Sequence, residues 1–350
     1  MERLHHLLRA LDALQQRHAV LAIPFAVLRK FGQDNASTWA LVVAYYGFVA
    51  IVPLLLVAVT VTSLVLAHHP GLLHDVTHSV LAQIPVVGHE FASRVRVHAL
   101  ASHSLLGLVV GLIGLLWGAQ GVASAAQSAM AAVWNVPLLD RPGFLPRTLR
   151  NLGILVVLGA NALVTSTMST IGASLGSGVL VHVLIIVGVA LLNCAFTVVG
   201  FRLLTPRAVE LGDLVLGAVL AGLAWTALQQ VGGFLIARDL VHASATYGVF
   251  GIVLGLIAWF SLATQTTLLA AELDVVLVRR LWPRSLVAPP LTDADVRALE
   301  ALALAQRARP EEHIEVRVEL DHETVTGQQH NSSEPALRSD ETGITATDTP

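Results

Sequence analysis

Residues 247–271 carry no charge, and the run then ends on Glu272 and Asp274 before Arg279 and Arg280. A carboxylate in so apolar a setting faces protein or water rather than lipid, and in membrane proteins such groups bind ions, relay protons or pair with cations. Ser261, Gln265 and Glu272 fall within about 40° of one another at 100° per residue, so they share one helix face. Other apolar runs carry polar groups of the same kind: Asn161 with Thr165 and Ser169, Asn193, and Gln229 with Gln230. Two readings fit this set. One is a polar-lined interior that passes a solute, the other is hydrogen bonding between packed helices, worth ~0.6 kcal/mol each on average. Asp34, Asp213, Arg202 and Arg141 flank neighbouring runs, so a charged cluster with Glu272 is a further expectation. Glu272 and Arg279, seven residues apart, form an alternative pair.

These residues are carried by a chain that is 55% hydrophobic and 13% charged over 350 residues. Soluble domains carry about a quarter charged residues, so composition alone predicts a membrane protein. Six runs reach the ~20 residues that span a bilayer: approximately Trp39–Ala67, Ser104–Ala125, Leu149–Ser169, Val179–Leu204, Leu214–Ile236 and Gly248–Val278. None alternates with period two, which argues against a β-barrel. The expected fold is all-α and polytopic, with six transmembrane helices. Thirteen Lys and Arg residues flank one side of these spans and only Arg94, Arg96 and Arg238 the other, so both termini are expected in the cytoplasm.

Three segments follow. Residues 1–38 read as a cytoplasmic amphipathic segment, with Leu4, Leu7, Leu8, Leu11 and Leu14 on one face of a surface helix that Pro24 breaks. Residues 39–284 form the membrane domain. Residues 285–350 read as a cytoplasmic, mostly disordered tail. It holds a capping-box-like start at Thr292 and Asp295, and past Pro310 ten acidic residues stand against two arginines. Such a tail suits docking to a protein partner. Gly107, Gly111, Gly114, Gly118 and Gly121, spaced four, three, four and three, make one smooth helix face, and Gly248, Gly251 and Gly255 repeat the device in the last span. Small faces bring helices close in lipid, within one chain or between copies in a homo-oligomer.

The stretch 68–103 holds seven of the fifteen histidines. His74 and His78 have ligand spacing, which surface histidines on a helix share, and no metal or cofactor is expected. One cysteine, Cys194, rules out an intramolecular disulfide. There is no G-x-x-x-x-G-K-[ST] loop for ATP, and no catalytic pairing or H-E-x-x-H within a span, so an enzyme is not expected.

Four stretches together resemble the YihY/BrkB family of bacterial inner-membrane proteins: "DNASTWALVVAYYGFVAIVPLLL" (34–56), "LWGAQGVASAAQSAMAAVWNV" (116–136), "VELGDLVLGAVLAGLAW" (209–225) and "TYGVFGIVLGLIAWFSLATQTTLLAAELDVVL" (246–277). They occur in order and cover about residues 30–280. Ala270 stands where the family's last block usually has glycine, and Asp274 where it often has asparagine. The resemblance implies a six-span inner-membrane protein without an established activity, in a family with a virulence-linked branch and an older ribonuclease label. The residues oppose that label: no H-x-H-x-D-H string or extended basic surface is present, so nucleic acid is not an expected partner. The expected function is movement of a small solute or lipid across the bilayer in envelope maintenance. The alternative is a non-catalytic envelope assembly factor acting through partners.

Overall fold

The computed structural model describes residues 12–68, 104–174, 178–205, 209–235, 241–287 and 291–316. Every regular element among them is helical: α1 Ala19–Gln33, α2 Ala36–His68, α3 Ser104–Val133, α4 Phe144–Ser174, α5 Val179–Leu204, α6 Val215–Leu235, α7 Val241–Val278 and α8 Asp293–Leu304, with single 3-10 turns at Leu138–Asp140 and Gly212–Leu214. Six of these, α2 to α7, are long and apolar enough to cross a membrane. An apolar run in lipid must bond its backbone internally, which is why long uninterrupted helices form here.

The six long helices form a closed ring in chain order. Each packs on its neighbours in sequence, and α7 closes back on α2. The main core lies at one end of the ring, hereafter the Glu272 end, where Val133, Trp134, Phe201, Leu214, Ala271 and Val275 are buried together. A smaller cluster of Ile51, Leu55 and Leu256 joins α2 to α7 farther along.

The turns at the Glu272 end use residues in the left-handed region. Asn35 joins α1 to α2 at φ 52°, Asn135 ends α3 at φ 45°, and Arg280 ends α7 at φ 51°. Asparagine tolerates this conformation, which explains two of the three. Past each of the last two, a backbone N–H returns to the helix: Val136 to the Ala131 carbonyl and Leu281 to the Val276 carbonyl, both at 2.9 Å.

The glycine face of α3 is packed as its spacing predicts. Along α2, a Cβ on Gly107 would meet Thr60, on Gly111 Val57, on Gly114 Pro53, on Gly118 Ala50 and on Gly121 the Tyr46 ring. Of the second glycine face, Gly255 departs from this pattern. A Cβ at Gly255 would meet nothing within 4 Å, so that position needs no glycine for packing; the side of Gly248 lies outside the described residues. Close approaches that spacing did not reveal are Gly222, where a Cβ would lie 2.6 Å from the Cα of Cys194, Gly217, where it would meet the Ala270 carbonyl and Asp274, and Gly232, where it would meet the Trp259 ring.

One expectation at the N-terminal end changes. Pro24 does not break the N-terminal helix: it lies inside α1, and the interruption falls at His18. The carbonyl that Pro24 cannot bond belongs to Val20, which is 83% exposed, so the lost bond falls on an open surface. α1 itself packs on the bundle. It buries Ala22, Ala26, Val27 and Lys30 at spacings four, one and three, packed against α7, and turns Val20, Leu21 and Leu28 outward. Residues 1–11 lie outside the described set, and Leu4, Leu7, Leu8 and Leu11 with them.

Past Ser285 the described residues include a further helix, α8, and run on to 316. Thr292 caps α8 with the anticipated capping box, and Ala294, Asp295 and Ala298 are buried. Asp295 accepts from Arg284 Nε at 2.7 Å, from the Ser285 N–H at 3.0 Å and hydroxyl at 2.8 Å, and from the Thr292 hydroxyl at 2.8 Å. Arg284 in turn donates to Gln33 at 2.9 Å, so the network ties α8 to α1. Burial alone would raise the pKa of Asp295, but the bonds from Ser285, Arg284 and Thr292 outweigh it and hold the carboxyl well below its usual range. The folded pKa is therefore below the unfolded value of about 3.9. The stabilisation is fully present above about pH 4 and is lost as pH falls below it. Limited proteolysis between 285 and 292 should thus accelerate below about pH 4 in the native protein, and Asp295→Asn should already be cut rapidly at neutral pH. Equal cutting of both at pH 7 would oppose this account. The acidic stretch from 317 to 350 lies outside the described residues, as does the histidine-rich stretch 69–103.

Candidate functional site

Lys30 is the chain's only lysine, and α1 carries it into the Glu272 end of the ring, where it is 2% exposed. Its Nζ lies 2.8 Å from Glu272 Oε2 on α7 and is paired with Asp34, one turn on. The same ammonium donates to the Val133 carbonyl at the end of α3, at 2.6 Å. Asn135 completes the arrangement by donating to Asp34 Oδ1 at 2.9 Å. Three elements therefore meet on one cation: the α1–α2 corner, the α3 terminus and α7. Glu272 is fully buried, and its Oε1 has no hydrogen-bond partner among the described residues.

The local sequence explains the convergence. Lys30 and Asp34 stand at i and i+4, so one α1 face presents both. The α3 carbonyls left over at a helix C-terminus attract cations. Lys30 satisfies that of Val133, and Arg279 donates to that of Trp134 at 2.6 Å. Burial lowers the pKa of Arg279 while Asp34 opposes that shift, which places Asp34 within electrostatic reach of the guanidinium. Glu272 thus pairs with Lys30, and Arg279 serves α3 instead of forming the alternative pair with Glu272.

Two carboxylates face one ammonium in direct contact, and Arg279, within electrostatic reach of Asp34, brings a second positive charge to the same end. An ionised group buried without compensation is costly. The chemistry open to such a set is uptake of a proton or a small cation, coupled to opening of the contact.

The other sequence candidates lie elsewhere. Asp213 acts electrostatically on Asp274. Asp274 itself accepts from the Gly217 N–H at 2.7 Å, capping the first turn of α6 from α7. Arg202 is exposed and donates to the Val209 carbonyl at 2.7 Å, while Arg141 donates to that of Val136 at 3.4 Å. Neither arginine joins the Lys30 cluster, and the expected five-residue cluster reduces to Asp34 and Glu272. Lys30, which brings those two together, was missed; its singularity in the chain was the available signal.

Farther along the ring, Asn193 on α5 donates to Thr226 at 3.0 Å and Gln229 at 3.3 Å, both on α6. This is interhelical bonding of the ordinary kind, although Asn193 Oδ1 is buried without a partner among the described residues. Gln265 donates to Ser261 at 2.9 Å within its own helix. Thr165 donates back to the Asn161 carbonyl at 2.7 Å, and Asn161 Oδ1 is also buried and unbonded among the described residues. These polar residues do not form one site with Glu272. No group of three or more His, Cys, Asp or Glu able to hold a metal occurs among the described residues.

The family model described as virulence factor BrkB matches residues 27–290. The chain is also similar to the inner membrane protein YhjD of Escherichia coli (strain K12), with 22% identity over 276 residues, 73% of this chain and 81% of that protein. No solved structure matches the chain.

Proposed function

The chain belongs to the virulence factor BrkB family, and from that premise we propose that it is a multi-pass inner-membrane protein that moves a small solute or a lipid across the bilayer. One observation carries the reading: a buried Lys30–Asp34–Glu272 cluster lies at one end of a ring of six long apolar helices. A protein that only needs to span a bilayer gains little from burying charge there, since apolar residues of similar volume are often as stable or more so. A charge cluster that must break and reform is instead suited to a barrier whose state depends on a proton or cation. In this reading both termini face the cytoplasm, on the side that carries Lys30 and most of the arginines flanking the spans, and the cluster is the cytoplasmic barrier.

The test uses the full chain reconstituted in proteoliposomes with a fluorescent phospholipid and, in parallel, an entrapped dye reporting small solutes. Access of a membrane-impermeant quencher is followed with and without a pH gradient. The native protein should accelerate exchange in one arm, and Glu272→Gln should abolish its response to the gradient. Rates equal to protein-free vesicles in both arms would leave the cluster as a brace of the bundle and favour an assembly role through partners.

A further inference from the structure

The helix α1 is amphipathic the wrong way round for a helix in water. Its exposed residues are Ala19, Val20, Leu21, Pro24, Leu28 and Gly32, and none of them is polar. Its polar residues, Arg29, Lys30 and Gln33, all turn inward. Lys30 enters the Glu272 cluster, Arg29 donates to the Ser285 carbonyl, and Gln33 accepts from Arg284 at 2.9 Å. Val20, Leu21 and Leu28 are 83%, 48% and 62% exposed. A surface helix in water turns its polar residues outward. Leu21, Pro24 and Leu28 stand at spacings of three and four, so they form one stripe along the helix.

The setting of α1 places that stripe in lipid. Lys30 meets Glu272, which belongs to the apolar span Val253–Val278, so α1 packs at the depth of the membrane-spanning part of the bundle. It also leads into the span that starts at Ala36 through Asp34 and Asn35 alone, which keeps it beside the bilayer. Its 15 residues are too few to cross, because at ~1.5 Å per residue they fall short of the ~30 Å hydrocarbon core. The Val20 carbonyl, which Pro24 leaves without its helical bond, needs water close by. The boundary between headgroups and acyl chains meets both demands, with acyl chains for the stripe and water for the carbonyl. A second copy of the chain is a poorer occupant. Stable interfaces bury about 800 Å² on each partner, from roughly 20–30 residues. The large side chains that α1 exposes are Val20, Leu21 and Leu28 alone.

We propose that α1 is an interfacial helix, its outer stripe of Leu21, Pro24 and Leu28 embedded in the leaflet at the Glu272 end while its inner face holds Lys30 in the cluster. This stripe lies past Leu4 to Leu14, the leucines expected to face the membrane. The proposal does not rest on transport, because such a helix anchors a scaffold and a translocator alike.

The test is site-directed spin labelling of the full chain in vesicles of phosphatidylethanolamine and phosphatidylglycerol. Cys194, the only cysteine, is replaced by serine, and Leu21→Cys, Leu28→Cys and Arg309→Cys are labelled one at a time. All three positions are exposed, so the labels leave the packing intact. Collision with oxygen, which concentrates in lipid, is compared with collision with a water-soluble nickel chelate. At 21 and 28 the ratio of oxygen to nickel collisions should exceed that at 309 by about tenfold or more, because a polar reagent is excluded from apolar surroundings. Ratios at 21 and 28 equal to that at 309 would put the stripe in water and overturn the proposal. Shielding from both reagents would overturn it as well, since protein would then cover the stripe, and spin–spin broadening between labels would identify that protein as a second copy. Should Cys194→Ser not fold, Cys194→Ala provides the background.

Discussion

Lys30→Met will destabilise the protein by about 3–5 kcal/mol, the usual cost of removing one partner from a buried ion pair. The substitution preserves the aliphatic length of the side chain, so packing changes little. What it removes is the ammonium that Asp34, Glu272 and the Val133 carbonyl share. Asp34 keeps the bond from Asn135, whereas Glu272 keeps none among the described residues. Combining Lys30→Met with Glu272→Gln should therefore recover part of the loss, because one of the two stranded charges has gone. Coupling in such a cycle is expected at about 1–3 kcal/mol. Thermal unfolding in detergent of the native protein, both single variants and the pair measures it. Strict additivity would show that Lys30 and Glu272 are neighbours without being partners.

Gly118→Leu and Gly255→Leu will move stability in opposite directions. Helix propensity favours leucine over glycine by up to about 1 kcal/mol at either position. At Gly118 that gain is overridden. A Cβ there lies 2.9 Å from both the Cα and the Cβ of Ala50, and the Cα cannot rotate away. Overpacking of this kind costs typically about 1–3 kcal/mol, and separating α2 from α3 would loosen the whole glycine register from Gly107 to Gly121. At Gly255 nothing lies within 4 Å, so propensity is left to act. Size-exclusion profiles after a heat challenge should show Gly118→Leu lost first and Gly255→Leu at or above native. A Gly118→Leu variant as heat-resistant as native would mean that α2 and α3 do not approach as described.

The two pairs of positions show how far residue types carry the argument. Glu272 stood out because a carboxylate ending an apolar run is rare and costly, and that cost does not depend on the fold. Its partner could not be read in the same way. Lys30 lies 242 positions earlier, beside a proline that argues for a broken helix, and nothing local says that α1 turns its face into the bundle. Arg279 was the nearer candidate at i+7, but an arginine at that place reaches the free carbonyl of Trp134 instead.

Composition and periodicity were sufficient for an all-helical chain with six spans, because a bilayer imposes the same length and backbone bonding on any sequence that crosses it. They were also sufficient for the α3 glycine face and the Thr292 cap, which depend on spacing along one helix or turn. Folding in three dimensions was needed to show that Gly255 meets no neighbour while Gly217 and Gly222 do, and that Asn193 bonds across to α6. Each of these is a relation between helices, and in a bundle whose outer faces are uniformly apolar the rotation of one helix against the next leaves little trace in hydrophobic pattern. What sets that rotation is the few polar groups and glycines at the contacts, which act only once the partner helix is in place.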